Sequence, residues 1–335
     1  MRRGFYQCTK TYRHTFEIYH VRDYPVLKMA KPGKLQTFVE HAAVKSVLRV
    51  LGQLPPSAAY TIGRAMGKLA YLLASDLKRT GNINLRLAFP EKTEEERVRL
   101  LRECFRSLGR QLGLFSQMSS RSREALLSLV EVQNIEILEE ARKIHGDKLF
   151  YYTGHLGAWE LTSFGVSLLG YPFTFLVRRI DNPLIEKLVN SVRTRFGNKT
   201  LDKLSAGRSM LKILRSGETA LGLLPDLNTL DDEAIFVDFF GVPAATTFAM
   251  AKLALRTNTP ILPFSAPWSE DQGKYLLIVE PAVTFEHTAD EDENVRRLTA
   301  AITERIENQI RRYPGQWLWI HKRWKTRPPG EPSIY

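Results

Sequence analysis

The chain has 335 residues, 44% hydrophobic and 25% charged, a composition that supports a sizeable core and excludes a largely disordered chain. Cys8 and Cys104 are its only cysteines, which excludes a disulfide framework, and no apolar run reaches the roughly 18 residues of a spanning helix. A formal net charge of +12 points to an anionic partner, whether nucleic acid, anionic lipid, phosphorylated substrate or acidic protein, without choosing among them.

Residues 1–34 have no regular period, and Met29 opens MAKPGKL just ahead of the first helical pattern. The segment reads as a flexible extension or as sequence upstream of the true start. It is basic but lacks the apolar h-region of a signal peptide, so the expectation is a protein kept on the cytosolic side. Between residues 35 and 54, Leu35, Phe38, Val39, Ala42, Val47, Leu51 and Leu54 recur at helical spacing around Lys45 and Arg49, and Pro55 and Pro56 end the pattern. A second helical stretch over 57–75 carries Gly63 and Gly67 four apart, which lets another helix approach closely; core packing is favoured over an element lying on a membrane. Thr93 and Glu96 form a capping-box pattern ahead of the stripe Val98, Leu101, Phe105, Leu108, Leu112 and Phe115, with Cys104 on the apolar side, where a free thiol packs.

Beyond this helical region the pattern changes to short apolar runs at 149–153, 173–177, 220–224, 235–240, 261–266 and 275–280. Helical stretches at about 182–196, 207–216, 246–257 and 291–312 fall between most of them. This alternation predicts an α/β fold, with a mixed, largely parallel central sheet flanked by helices. The helical region over 35–118 and the α/β region over 119–335 are expected to form one continuous unit.

Residues 153–160 read TGHLGAWE, placing His155 five positions before Glu160. That spacing alone is weak, since His287 and Asp292 in HTADED repeat it. Positions five apart lie about 140° apart around a continuous helix, so a working pair needs His155 on a loop and Glu160 in the helix behind it. KLFYYTG reads as a buried strand entering a glycine turn and ELTSFGVSLLG as the following helix, and the carboxyl end of a strand is a favoured site position in α/β sheets. A neutral imidazole there takes the proton of an acceptor hydroxyl, while a carboxylate holds its tautomer and stabilises the imidazolium. A purely structural histidine is the competing reading from context alone.

Taken together, HLGAWE, RRIDNPL (178–184), FFGVPAATT (239–247), QWLWIHKRWKTRP (316–328) and NINLRLAFPEKTEEER (82–97) resemble the late acyltransferases of lipid A biosynthesis, the lauroyl and myristoyl transferase family. The wider family includes lysophospholipid-type and phosphatidylinositol mannoside acyltransferases. The resemblance runs from about residue 35 to the C-terminus. It implies a glycerolipid-acyltransferase-like fold with a membrane-associating helical region, on the cytoplasmic face of a bacterial inner membrane. The implied reaction moves an acyl chain from an acyl-carrier-protein or acyl-coenzyme A thioester to a hydroxyl of an anionic glycolipid, with no metal, no cofactor and no nucleic-acid partner.

Carried over by the same resemblance, His155 is the base and Glu160 its partner. Arg178, before N-P, contacts an anionic substrate group, with an ordinary surface ion pair as the competing reading; Asp226 in LPDLN organises the site with Arg178 or serves as a cap or turn carboxylate, and Leu227 stands where the family often has a polar residue. Asn182 and Pro183 shape a helix start. Thr246 or Thr247 caps a helix after the turn at Gly241 and Pro243. Arg323, Lys325 and Arg327, with His321 and Lys322, suit lipid phosphates or an acidic carrier protein, with Trp317, Trp319 and Trp324 near the lipid interface. The phosphate-binding F-P-E-G-T-R stretch of glycerol-phosphate acyltransferases is absent. A lysophospholipid or mannosylated acceptor, and a non-catalytic basic membrane or nucleic-acid binder, are the alternative readings.

Overall fold

The computed structural model describes residues 33–203, 206–230 and 234–335, so the expected extension over 1–34 falls almost wholly outside the described residues. Four helices open it: α1 (Lys34–Gln53), α2 (Pro56–Leu73), α3 (Ser75–Ala88) and α4 (Glu94–Met118). Pro56 stands at the first position of α2, where its missing N–H is harmless. The predicted capping box starts α4, with Glu96 N–H donating to Thr93 Oγ1 at 3.2 Å and Thr93 N–H to Glu96 Oε2 at 2.7 Å.

Helices α2 and α4 meet backbone to backbone. A Cβ on Gly63 would lie 2.1 Å from the Gly109 carbonyl oxygen, and one on Gly67 2.1 Å from that of Phe105. The glycine pair therefore packs in the core, as its spacing predicted. The opposite face of α2 is open to solvent, with Leu69, Leu72 and Leu73 more than half exposed. Helix α3 carries no helical stripe of large apolar residues in the sequence, because its buried face consists of Thr80, Gly81, Asn84, Leu85 and Ala88.

The remainder alternates strand and helix: α5 (Arg123–Leu127), β1 (Val130–Gln133), α6 (Ile135–His145), β2 (Phe150–Tyr152), α7 (Trp159–Leu168), β3 (Thr174–Val177), α8 (Pro183–Arg193), β4 (Lys199–Asp202), α9 (Ala206–Ser216) and β5 (Leu221–Leu223). The hairpin β6 (Ala234–Phe239) and β7 (Val242–Thr247) follows, then α10 (Ala249–Thr257), β8 (Ile261–Ser265), β9 (Trp268–Ser269), β10 (Lys274–Val279) and α11 (Glu291–Arg312). The main sheet has the order β1-β10-β8-β2-β5-β3-β4, with β9 beside β10. From β8 to β4 every pairing is parallel, and the β10–β8 and β10–β9 contacts are antiparallel. The protein is thus mixed α/β with a largely parallel sheet flanked by helices.

One core holds Met210, Leu214, Met250 and Ile302 with Trp317, Trp319 and Trp324. Another holds Leu138, Leu161, Phe164 and Val192 against Tyr151 and Leu277. All three C-terminal tryptophans are 0% exposed, which overturns their expected place at a lipid interface. Trp317 packs edge-on against Trp319 at 4.7 Å and against Phe239 of β6 at 5.5 Å, so the aromatic run fills the space under the hairpin. Among the described residues no helix is long and apolar enough to cross a membrane.

Candidate active site

Parallel neighbours β2, β5 and β3 deliver His155, Asp226 and Arg178 to the same carboxyl edge of the sheet. The loop carrying His155 is tightly held. A Cβ on Gly154 would meet Asp226 Oδ2 at 3.2 Å, and Gly157 adopts φ +59° where a Cβ would lie 2.2 Å from the Ala266 carbonyl oxygen. Gly157 N–H donates to Gln316 O at 2.9 Å and Leu318 N–H to His155 O at 3.1 Å, fastening the loop to the C-terminal segment. As predicted, His155 lies on this loop and Glu160 in the first turn of α7.

The carboxylate beside the ring is that of Asp226. Its Oδ1 lies 2.8 Å from His155 Nδ1, and its Oδ2 accepts the His155 backbone N–H at 2.6 Å and the Trp317 Nε1–H at 2.8 Å. Burial pushes the Asp226 carboxyl up, but the adjacent His155 ring and the three donors outweigh it and hold the group below its usual range. An ionised Asp226 places the ring proton on Nδ1 and leaves Nε2 with a free lone pair. With its side chain 16% exposed, the ring is both oriented and reachable.

Glu160, the expected partner, makes no hydrogen bond to His155. Its carboxylate takes a two-pronged contact from Arg193, at 2.9 Å through Nε and also through a terminal guanidinium nitrogen. The physical reason is placement: Glu160 on the first turn of α7 faces the end of α8, whereas β5 sets Asp226 directly beside β2. Arg178 is exposed, and no hydrogen bond or ion pair joins it to another described residue, so the expected Asp226–Arg178 pairing is replaced by the bonds to His155 and Trp317. Asn182 does shape the start of α8, its Oδ1 accepting from Leu184 N–H at 3.0 Å and Ile185 N–H at 3.2 Å. Beside Arg178, a polar cleft of about 280 Å³ lies between β3, β4 and α8, lined by Arg179, Glu186, Lys187, Asn190, Thr200 and Asp202.

The C-terminal basic run divides in two. Arg323 is 0% exposed, donates to Ala245 O at 2.7 Å and Thr246 Oγ1 at 2.6 Å, and lies over the Phe239 ring; burial lowers it to about 10. Arg327 donates to Pro243 O at 2.6 Å and pairs with Glu331. These two residues clamp the hairpin instead of facing a substrate, because the C-terminal segment runs beneath β7. Lys322 and Lys325 remain exposed. Thr246 is likewise taken up by Arg323, while Thr247 Oγ1 accepts the Ala249 N–H at 3.5 Å where α10 begins, with Phe248, which has no side-chain cap, between them.

His321 adds a second histidine to this region. Its Nε2 accepts the Asn228 N–H at 3.3 Å, two residues beyond Asp226, and burial lowers it to about 4, leaving it neutral at physiological pH. Trp317 as a donor and Arg193 as a partner of Glu160 carried no local signal, since each meets its partner across more than 30 residues of chain. Among the described residues no group of three His, Cys, Asp or Glu side chains is placed to hold a metal ion.

Residues 32–326 match the family described as bacterial lipid A biosynthesis acyltransferase. The chain is 30% identical over 295 residues to the lipid A biosynthesis lauroyltransferase of Escherichia coli K12, covering 86% of this chain and 92% of that protein. It is 27% identical over 281 residues to the myristoyltransferase of the same organism, covering 84% and 85%. A lipid A biosynthesis acyltransferase of Haemophilus influenzae Rd is 28% identical over 270 residues, covering 79% and 82%.

Proposed function

We propose that this acyltransferase, a chain that belongs to the bacterial lipid A biosynthesis acyltransferase family, moves a fatty acyl group from a carrier-protein or coenzyme A thioester to a hydroxyl of a lipid A precursor. The observation that carries the mechanism is the buried Asp226 carboxylate on His155 Nδ1. With the proton fixed on Nδ1, Nε2 accepts the proton of the acceptor hydroxyl as its oxygen attacks the thioester carbonyl. Asp226 stabilises the imidazolium that forms. The tetrahedral intermediate then collapses, the carbon–sulfur bond breaks, and the imidazolium returns its proton to the departing thiolate, leaving an ester and a free thiol.

Arg178, exposed one residue beyond β3, supplies a cation for an anionic group of the acceptor, and the exposed Lys325 a further one. Glu160 acts as a positioning residue: by engaging Arg193 it fixes the start of α7, and with it the His155 loop.

The helical region over 35–118 lies against the bilayer. Leu69, Leu72, Leu73 and Leu77, together with Leu35 and Phe38 of α1, are 40–77% exposed, and Lys68 and Lys78 stand among them. An apolar face edged by cations suits the surface of an anionic membrane, placing the enzyme on the cytoplasmic face of an inner membrane where both substrates reach it.

Acyl transfer by purified protein tests the reading, with labelled thioesters, a lipid A precursor and lysophospholipids as acceptors, beside His155→Ala. Transfer to the lipid A precursor that vanishes in the folded variant is expected. Retained transfer by His155→Ala overturns the mechanism, and transfer to lysophospholipids alone overturns the acceptor.

A further inference from the structure

Helices α9 and α10 pack side by side over the core that contains Trp317. Their outward faces are basic: Arg208, Lys212 and Arg215 on α9, Lys252 and Arg256 on α10, all exposed. Neither helix contains a single Asp or Glu, in a chain with 36 of them. Arg208, Lys212 and Arg215 follow one another at spacings of four and three, so they form one stripe, and no ion pair joins any of the three to a described residue. Like charges at this spacing destabilise a helix, so the stripe opposes the stability of the free protein. The three cations border a shallow groove centred on the half-buried Leu211.

Two features say what covers this face. Among the described residues it has no exposed large hydrophobic side chain, unlike α1 and α2, so it offers nothing to insert into a bilayer. It also begins at the site. Strand β4 ends at Asp202, paired with Val177 next to Arg178, and α9 starts four residues later, so Arg208 stands at the end of the stripe nearer the carboxyl edge of the sheet.

We propose that the α9–α10 face docks a small acidic carrier protein through a carboxylate-rich helix laid along Arg208, Lys212 and Arg215, which presents its acyl thioester to His155. The proposal rests on the acyl-transfer reading and adds to it the face on which a protein-bound donor docks. Charge complementarity of this kind governs encounter and orientation, so its signature is a steep salt dependence.

The test uses the full chain and two variants, Arg208→Glu/Lys212→Glu/Arg215→Glu and the neutral Arg208→Gln/Lys212→Gln/Arg215→Gln, each checked for an unchanged melting temperature. Binding is measured with purified acyl carrier protein bearing an amide-linked chain that cannot be transferred. Transfer is measured separately from acyl-carrier-protein and from acyl-coenzyme A. The expected result is a Kd and KM for the carrier protein raised about tenfold or more by charge reversal and less by neutralisation, with transfer from acyl-coenzyme A unchanged. Unaltered carrier binding overturns the proposal, as does no carrier binding by the parent protein or an equal loss with both donors. Lost binding to phosphatidylglycerol vesicles with carrier binding intact also overturns it, and makes the face a membrane contact. Carrier binding that is lost on charge reversal, in a protein that transfers from neither donor, leaves the docking surface standing and removes the transfer reading.

Discussion

Asp226 holds His155 by two atoms at once: one carboxylate oxygen accepts the backbone N–H at 2.6 Å while the other lies 2.8 Å from Nδ1 of the ring. Loop position and ring tautomer are therefore set by the same side chain. Asp226→Asn preserves the shape but turns an N–H₂ toward Nδ1, which then must accept, moving the ring proton to Nε2 and removing the base. Transfer is expected to fall by roughly 10³–10⁴-fold with the fold retained. Single-turnover rates with a thioester donor measure this; a loss below about tenfold is incompatible with Asp226 as the orienting group.

The Glu160–Arg193 pair leads to the opposite expectation. Both side chains are about one-sixth exposed, and removing either partner leaves a partly buried charge alone. Glu160→Ala and Arg193→Ala are each expected to cost about 2–3 kcal/mol, with the double variant costing less than their sum. Urea unfolding of the four proteins measures the coupling. Glu160→Gln, which keeps one acceptor for Arg193, is expected to retain far more transfer than Asp226→Asn. Equal inactivity of the two, both folded, assigns Glu160 a direct part in the chemistry.

This contrast also marks where the sequence was legible. The strand, glycine turn and helix around TGHLGAWE could be read because an apolar run ended in glycine and an apolar helix followed. The partner could not be. Glu160 is five residues from His155, whereas Asp226 is 71 residues away and arrives only because β5 lies beside β2, a neighbour relation that no local pattern encodes. Gly63 and Gly67 were readable through spacing, but α3 was not, since Asn84 and Thr80 take core places there. In HKRWKTRP, charge suggested exposure, while Arg323 finds carbonyl and hydroxyl partners that let it be buried. The four-residue β4, with Leu201 its only apolar residue, and the proline-bearing β7 lacked the apolar run that revealed the central strands.

His321 makes stability depend on pH. In the unfolded chain its ring takes up a proton near pH 6.5, but burial in the folded protein delays this to about 4. Between those values the unfolded state binds more protons, so stability is full above about 6.5 and declines as pH falls toward 4. Asp226, held below its usual range, adds a loss only at still lower pH, as the carboxyl itself is protonated. His321→Gln is expected to flatten the melting temperature between pH 6.5 and 4 relative to the parent. A slope identical to the parent's places the titrating group elsewhere.

The exposed apolar face of α2 supplies the last expectation. Leu72 and Leu73 are 60% and 74% exposed, so replacing them costs little packing, and Leu72→Ser/Leu73→Ser is expected to melt within about 1 °C of the parent. At a bilayer each leucine contributes roughly 1.5 kcal/mol of burial, so the double variant should bind phosphatidylglycerol vesicles about a hundredfold more weakly. Its transfer from a water-soluble thioester to a detergent-dispersed acceptor should be nearly unchanged, because neither residue touches His155 or Asp226. Vesicle co-sedimentation beside the detergent assay separates the two effects. Unchanged vesicle binding removes α2 from the membrane contact, since Gly63 and Gly67 turn the other side of the helix into the core and leave only this face to meet lipid.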